Sequence, residues 1–513
     1  MKRNVDRMAI KLALVSTLVG LSCVAGYGDG TWMSWRPKER WRGVNIIGMF
    51  NKRGEESASG FPDSSCGFKE EYFRWIKEFG FNFVRLPLDY RNWCLGDDPT
   101  VIDEEGLREL DRGVAFARKY GLHVQICLHH APGYCILGWK NEPMTLHTDP
   151  AKLEAFCKQW AMLAKRYRDI PNDELTFNLL NEPGGITDAE YERIFNAAIA
   201  AIRTEDPNRF VMLDGTNIGL NPVSAFFGKP LVGQAMRGYA PGGISHYGVH
   251  WALRPQTEPI WPLTVESPTM PWIYGPEHAK SRALIVDNAP AGEWTWDFSP
   301  ADEEVTLEVL ADGVPVARHD YPAKRHELFP MRLDEAAKRV EIRPKGRGAS
   351  RFGLLTIRSV DGQHVVRLGG WCQDANIANR SEGDNLHQRF MGWNEEFPFR
   401  LAENVGKPIE RRGGTTGMDA LEKFNFAPWK QASDKGTFCF VGEFGCFNKT
   451  PHPIALAWLE DQLRYFKQQN WGWSLWLMNG SFGFIDSERD DVEYEDFHGH
   501  KLDRKMLELL QKY

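Results

Sequence analysis

Short apolar runs alternate with amphipathic stretches along most of the chain. The runs cover residues 41–46, 81–87, 123–130, 175–182, 210–215, 244–251, 438–445 and 473–478. Between most of them lie stretches with apolar residues at helical spacing, notably 70–79, 105–120, 150–168 and 188–205. Strand-like runs separated by helical patterns predict βαβ units and a parallel sheet. Eight such runs predict an α/β fold closed into a (β/α)8 TIM barrel. The polar and ionisable residues gather at the C-terminal ends of the runs, which is where barrels of this kind build their sites.

The alternation breaks between about 274 and 370. Here strand-like runs follow one another without helices, at 282–287, 293–298, 304–311, 339–343 and 352–360. Ala311-Asp312-Gly313-Val314 and Val360-Asp361-Gly362-Gln363 carry hairpin-turn chemistry. Short strands punctuated by turns predict a small all-β, sandwich-like domain. The barrel is then expected over 27–273 and 371–513, with the insert at 274–370 after the sixth barrel strand. Glycan binding and simple packing are equally open as its role. Trp294 and Trp296 are two apart and share one face of a strand. That face is either a sugar platform or the sandwich core, and the core is favoured.

Composition narrows the picture. Of 513 residues, 42% are hydrophobic and 26% charged, an ordinary globular balance that allows a large core. A net charge of −7 gives no electrostatic reason to expect nucleic acid as a partner. Residues 1–26 read as an export signal. Lys2, Arg3 and Arg7 form a basic start, an apolar stretch broken by Lys11 follows, and small residues lead through Cys23-Val24-Ala25-Gly26. The stretch is too short to span a bilayer comfortably, which points to a cleaved signal peptide and a secreted or periplasmic protein. Gly20-Leu21-Ser22-Cys23 partly resembles a bacterial lipoprotein box, so anchoring through Cys23 is the alternative. No later segment reads as a membrane span, and a monomer is expected. Eight cysteines follow the leader without a CxxC pair, so zinc is not expected. Cys127 and Cys439 lie in apolar runs and are expected as buried free thiols.

Two carboxylates carry the candidate chemistry. Phe177-Asn178-Leu179-Leu180-Asn181-Glu182-Pro183 is an apolar strand that ends in Glu before a proline. A carboxyl group walled by apolar side chains can have its pKa raised and serve as a general acid. Phe438-Cys439-Phe440-Val441-Gly442-Glu443-Phe444-Gly445 is a second apolar strand ending in Glu, with glycines that permit close approach. On strands four and seven the two can face each other across a barrel mouth. At about 5–5.5 Å such a pair forms a covalent glycosyl intermediate, and at about 6.5–9.5 Å it activates water. The spacing is not readable from sequence. The 19 tryptophans add flat indole faces suited to sugar rings, or simply fill the core.

These motifs together resemble glycoside hydrolase family 5, the cellulase-containing family of retaining barrel enzymes. The resemblance rests on Arg42-Gly43-Val44-Asn45, Phe83-Val84-Arg85-Leu86-Pro87, Leu128-His129-His130-Ala131-Pro132-Gly133, Asn181-Glu182-Pro183, Gly442-Glu443-Phe444-Gly445 and Trp473-Ser474-Leu475-Trp476. It covers the chain from about residue 41 to the end, apart from the insert. It implies Glu182 as acid/base and Glu443 as nucleophile. Arg85 is implied as the partner of Glu443, Asn181 as a ligand of the sugar 2-hydroxyl, His129 as part of the sugar site and Trp476 as the platform beneath the sugar. It also implies a β-linked polysaccharide or oligosaccharide as substrate and no cofactor.

One position departs from the family pattern. Many members carry His-x-Tyr on the sixth strand, with the Tyr donating to the nucleophile. The run assigned here reads Ser245-His246-Tyr247-Gly248-Val249-His250, without the spacer. His246 is the favoured site histidine with Tyr247 beside it, and the tyrosine's role is left open. An endo-β-1,4-glucanase is the leading expectation. β-Mannanase, xyloglucanase, exo-β-glucosidase and a non-catalytic glycan-binding protein are the alternatives.

Overall fold

The computed structural model describes residues 35–55, 61–96, 98–136, 142–249, 259, 261–262, 272–277, 283–289, 291–300, 304–321, 327–346, 348–358, 365–369, 397–399 and 417–513. The export signal, Cys23, Cys372 and His250 lie outside them. Six strands open the fold: β1 (Arg42–Asn45), β2 (Phe83–Asp89), β3 (His123–His130), β4 (Leu175–Asn178), β5 (Val211–Asp214) and β6 (Val232–Gly238). Helices α1 (Glu70–Glu78), α2 (Glu104–Lys119), α3 (Pro150–Tyr167) and α4 (Asp188–Glu205) alternate with the first five. Their ends follow ordinary capping chemistry. Asp103 and Asp149 accept N-terminal amides, Pro150 opens α3, and Thr187 with Glu190 forms a capping box at α4.

After β6 the chain leaves the barrel and, among the described residues, builds ten short strands. They are β7 (Trp272–Tyr274), β8 (Leu284–Ala289), β9 (Gly292–Pro300), β10 (Val305–Ala311), β11 (Val314–Tyr321), β12 (Glu327–Leu333), β13 (Ala337–Pro344), β14 (Ala349–Arg358), β15 (Val365–Gly369) and β16 (Phe397–Phe399). One sheet runs β11-β10-β13-β8-β16, and the other runs β12-β9-β14-β15 with β7 also on β14. Alternate residues are buried, among them Leu307, Val309, Val340 and Ile342 in one sheet and Trp294, Phe329 and Met331 in the other. Trp294 is fully buried, so it belongs to the sandwich core. β16 pairs with β8 beyond the boundary expected at 370, which extends the insert's sheet to Phe399.

The chain returns through α5 (Ala427–Asp434) to β17 (Phe438–Phe444), α6 (His452–Gln468), β18 (Gly472–Leu475) and the terminal α7 (Arg504–Lys512). β17 and β18 close the barrel in the parallel order β1-β18-β17-β6-β5-β4-β3-β2. One strand differs from expectation. The sixth barrel strand is Val232–Gly238, not 244–251. Gly242–Ser245 forms a single helical turn instead, buried by Ile244 and Ser245, and it is pinned to the segment after β17 by the Phe447 amide and the Thr450 hydroxyl. An apolar run this short does not distinguish a strand from a buried helical turn.

Large side chains fix the strand ends. Trp160 of α3 donates to the Leu179 carbonyl at 3.0 Å, and Trp458 of α6 donates to the Ala240 carbonyl at 3.1 Å. Burial of each indole contributes roughly 4–6 kcal/mol before entropy is counted. At the N-terminal end, Trp41, Phe83, Phe210, Met212 and Phe440 plug the barrel, and His123 stacks on Trp41 at 4.2 Å. Beyond this plug the interior turns polar, through Gln125 and Thr176 to Asn45, Arg85, Asn178 and Asp214.

β1 and β2 approach closely enough that only glycine fits at Gly43. A methyl group there would stand 1.7 Å from the Phe83 carbonyl oxygen. Gly43→Ala is therefore expected to lower stability by about 1–3 kcal/mol or more, read as a fall in the urea midpoint. An unchanged midpoint would show that the two strands are not held at this distance.

Candidate active site

At the end of β4 the apolar run passes through Leu179 and Leu180 into Asn181 and Glu182. Glu182 adopts a left-handed backbone, φ 50°, which costs a non-glycine residue about 1–3 kcal/mol. Hydrogen bonds on both sides hold it there. Its N–H donates to Asp214 Oδ2 at 2.9 Å, and its carbonyl accepts from the Tyr134 hydroxyl at 2.7 Å. The same Tyr134 oxygen accepts the Gly184 N–H at 2.7 Å.

β17 brings the second carboxylate from the other side of the mouth. With Phe440 in the interior plug, plain alternation would turn Gly442 inward and Glu443 outward. A register slip against β6 between Val441 and Glu443 inserts an extra residue. This bulge turns Glu443 into the barrel and Phe444 into the core outside it. A methyl group at 442 would stand 2.8 Å from Arg237 Nη1, so glycine leaves room for that guanidinium.

Glu443 is held on both oxygens. Oε1 accepts from Arg85 Nη1 at 2.5 Å, and Oε2 accepts from the Tyr239 hydroxyl at 3.2 Å. Arg85 is fully buried in the barrel and uses its whole donor fork. Nε donates to Asn178 Oδ1, Nη1 also to Asn45 Oδ1, and Nη2 to Cys127 Sγ and Asn181 Oδ1, each at 2.9 Å. Burial opposes its charge, but Cys127, Glu443 and Asp214 outweigh that and hold its pKa above the usual value. Cys127 is the buried free thiol expected, as is Cys439; burial pushes each thiol up to about 12.

Arg237, near the end of β6, links the two carboxylates. Nε donates to Glu182 Oε1 at 2.9 Å, and Nη2 donates to Asn181 Oδ1 at 2.7 Å and to Asp214 Oδ2. Nη2 also lies 3.2 Å from Glu443 Oε1. The Glu182 carboxyl is pushed up to about 8. Burial is the main cause, the Glu443 charge adds to it, and Arg237 opposes it. Its side chain keeps 14% of its surface against 3% for Glu443, so it is the more accessible of the two.

His129 completes the floor. Asn181 Oδ1 accepts from both arginines, so the Asn181 amide nitrogen donates, at 3.3 Å, to His129 Nε2. The hydrogen of the neutral ring then sits on Nδ1, which is buried and has no hydrogen-bond partner among the described residues. Burial, and then the Arg85 and Arg237 charges, lower the His129 pKa well below its usual value, which keeps the ring neutral. Trp476 stacks against His129 at 5.7 Å and is covered by Phe50 and Phe61, leaving 6% exposed.

Of the expected residues, Glu182, Glu443, Arg85, Asn181, His129 and Trp476 converge on one mouth. His246 and Tyr247 require correction, because the segment that holds them is not a barrel strand. His246 packs edge-on against Tyr239 at 4.9 Å and bonds Ser245, one layer behind Glu443. Tyr247 lies in the following turn, and the hydroxyl on Glu443 belongs to Tyr239. The motifs did not single out Asp214, Arg237 or Tyr239, although Asp214 falls at the end of the run at 210–215. The signal that could have found two of them is Arg237-Gly238-Tyr239, which has the His-x-Tyr spacing with Arg in the first place.

Comparisons with known proteins agree with this geometry. Residues 50–249 match the cellulase (glycosyl hydrolase family 5) model, a span that includes Glu182 but not Glu443. Endoglucanase C of Acetivibrio thermocellus is 34% identical over 175 residues, which is 34% of this chain and 49% of that protein. Cellodextrinase A of Ruminococcus flavefaciens is 31% identical over 191 residues, 36% of this chain and 54% of that one. The chain thus spans about half the length of these curated relatives. A crystal structure described as a glycoside hydrolase superposes with a TM-score of 0.56 at 22% identity, over 92% of this chain and 99% of that one, a likeness of fold. Over residues 50–249 the chain is similar to the cellulase family, glycosyl hydrolase family 5, and its strands close into an eight-stranded barrel.

Proposed function

We propose that this protein hydrolyses β-1,4-linked glucan with retention of configuration, using Glu443 as nucleophile and Glu182 as acid/base. The observation that carries this reading is the single guanidinium of Arg237, which meets an oxygen of each carboxylate. Two oxygens on one guanidinium favour the close spacing of a retaining pair, about 5–5.5 Å, over the wider gap that holds a water. Their environments also divide the labour. Glu443 accepts from Arg85 and Tyr239, the donors a carboxylate nucleophile needs, while Glu182 is raised into the range of a proton donor.

In the first step Glu182 gives its proton to the glycosidic oxygen as Glu443 attacks the anomeric carbon. The C–O bond to the leaving sugar breaks and a glycosyl ester forms. In the second step Glu182, now ionised, takes a proton from water, which attacks the same carbon and releases Glu443. In this reading Asn181 and His129 form the floor beneath the sugar. The similarity to endoglucanase C supports a β-glucan substrate. Export through residues 1–26 belongs to the same proposal, since a polysaccharide substrate lies outside the cell. A second reading, exo-action on short chains, is favoured by the cover that Phe50 and Phe61 place over Trp476, and by the likeness to a cellodextrinase.

Purified protein is expected to release sugars from carboxymethyl-cellulose, barley glucan or cello-oligosaccharides, and Glu443→Ala to lose on the order of 10⁴-fold in rate. Equal turnover by the variant would refute the assignment. Because Glu182 must be protonated to donate, kcat/KM is expected to hold through neutral pH and to fall as pH rises past about 8. A fall complete by pH 6 would contradict that role. Phe61→Ala should uncover Trp476 and raise the share of long products from carboxymethyl-cellulose. Chromatography showing an unchanged product ladder would remove Phe61 from the cleft.

A further inference from the structure

Arg237 stands where the family pattern places a histidine, two residues before the tyrosine on the nucleophile. The substitution changes the chemistry, because a guanidinium stays charged across the working pH range and only donates, whereas an imidazole titrates and can accept. Arg237 does not act alone. Asp214 accepts from it through Oδ2, and the same oxygen takes the Glu182 amide at 2.9 Å. Asp214 Oδ1 is held by Asn178 Nδ2 at 2.9 Å. Arg237 and Asp214 thus grip Glu182 from both sides, one by its side chain and the other by its backbone.

Among the described residues, the titratable and charged groups around Glu182 and its partners come from both sides of the mouth. β2 contributes Arg85; β3 contributes Cys127 and a neutral His129; Tyr134 lies in the loop that follows. β5 contributes Asp214, β6 contributes Arg237 with Tyr239 just beyond it, and β17 contributes Glu443. Three carboxylates therefore share a buried space with two guanidiniums. The set is neutral when one carboxyl is protonated and carries one net negative charge when none is. The Arg237 Nε–H donates to Glu182 Oε1, so Oε1 is an acceptor and any proton on Glu182 sits on Oε2.

We infer that Arg237 and Asp214 are a matched pair of positioning residues that keep the acid/base proton on one oxygen of Glu182 and set the pH at which it leaves. This rests on the reading of Glu182 as acid/base. The two members act in opposite directions. Arg237 favours the ionised form of Glu182, and Asp214 offsets part of that charge. Neutralising either one should move the proton affinity of Glu182, with opposite signs.

The test uses the full-length protein with Asp214→Asn, Arg237→Gln and the double variant. In Asp214→Asn the cation acts on Glu182 without its counter-charge, and the basic limb of kcat/KM is expected to move down by roughly 1–3 pH units. In Arg237→Gln it is expected to move up by a similar amount, and the double variant should return toward the wild type. Arg237→Gln should also lose far more rate on an aryl glycoside with a poor leaving group than on a dinitrophenyl glycoside, which needs no acid. Limbs that stay put or move together, or equal losses on both substrates, would overturn the inference. Infrared titration of the Glu182 carboxyl, identified by its absence in Glu182→Gln, reads the same shifts without turnover. It therefore decides the inference even if the wild type cleaves no glycoside, an outcome that would sink only the proposed activity. If Arg237→Gln does not fold, the conservative Asp214→Asn shift decides alone.

Discussion

The site depends on one buried cation. Arg85 lies at the centre of the barrel with no exposed surface, where an unpaired charge would cost several kcal/mol. It is tolerated because its donor fork meets Asn45, Asn178, Asn181, Cys127 and Glu443. These acceptors come from β1, β3, β17 and the β4 segment, so satisfying one guanidinium fixes the relative positions of four parts of the wall. The carboxylate opposite is thereby placed by the same constraint that makes the arginine tolerable. Removing a partner from such a set typically costs about 3–5 kcal/mol, because the remaining charge stays buried. Stability and site geometry are here one property.

Both glutamates also depart from regular strand geometry. Glu443 faces inward only through the bulge after Val441, and Glu182 through a left-handed backbone held between Asp214 and Tyr134. Neither distortion would persist in isolation. The bulge is stabilised by the contacts of Glu443 with Arg85 and Tyr239, and the strained φ by hydrogen bonds on both sides of the residue. Strain of this kind survives where the surroundings over-determine it.

The sequence made the barrel legible where strands are buried on both faces, because such strands read as continuous apolar runs. β2, β3 and β17 carry that signature plainly. β6 does not. Val232-Gly-Gln-Ala-Met-Arg-Gly looks like a loop, since it carries Gln234, which bonds the Val223 backbone, and Arg237, which points into the barrel where its partners are other buried polar groups. Ile244 and its neighbours were the more apolar segment, and their burial serves a helical turn behind the site. The motifs located six of the eight expected residues. They missed Asp214, whose role depends on how β5 and β6 come together, and Tyr239, which follows the misread strand. The inward turn of Glu443 required a register slip that no apolar pattern encodes.

The misread strand and the departure from the family pattern are the same place, and one physical cause accounts for both. A histidine at position 237 would leave the three carboxyl groups of the mouth with a single permanent cation, Arg85. A permanent cation at position 237 instead meets an oxygen of each of the three carboxyl groups and offsets their mutual repulsion. The polarity that hides β6 from hydrophobic patterning is thus the feature that balances the charge of the site. Covering of the mouth by Phe50, Phe61 and Trp476 strengthens the effect, because each charge then acts through less water. The electrostatics of the site are set by the strand that looked least like part of the barrel.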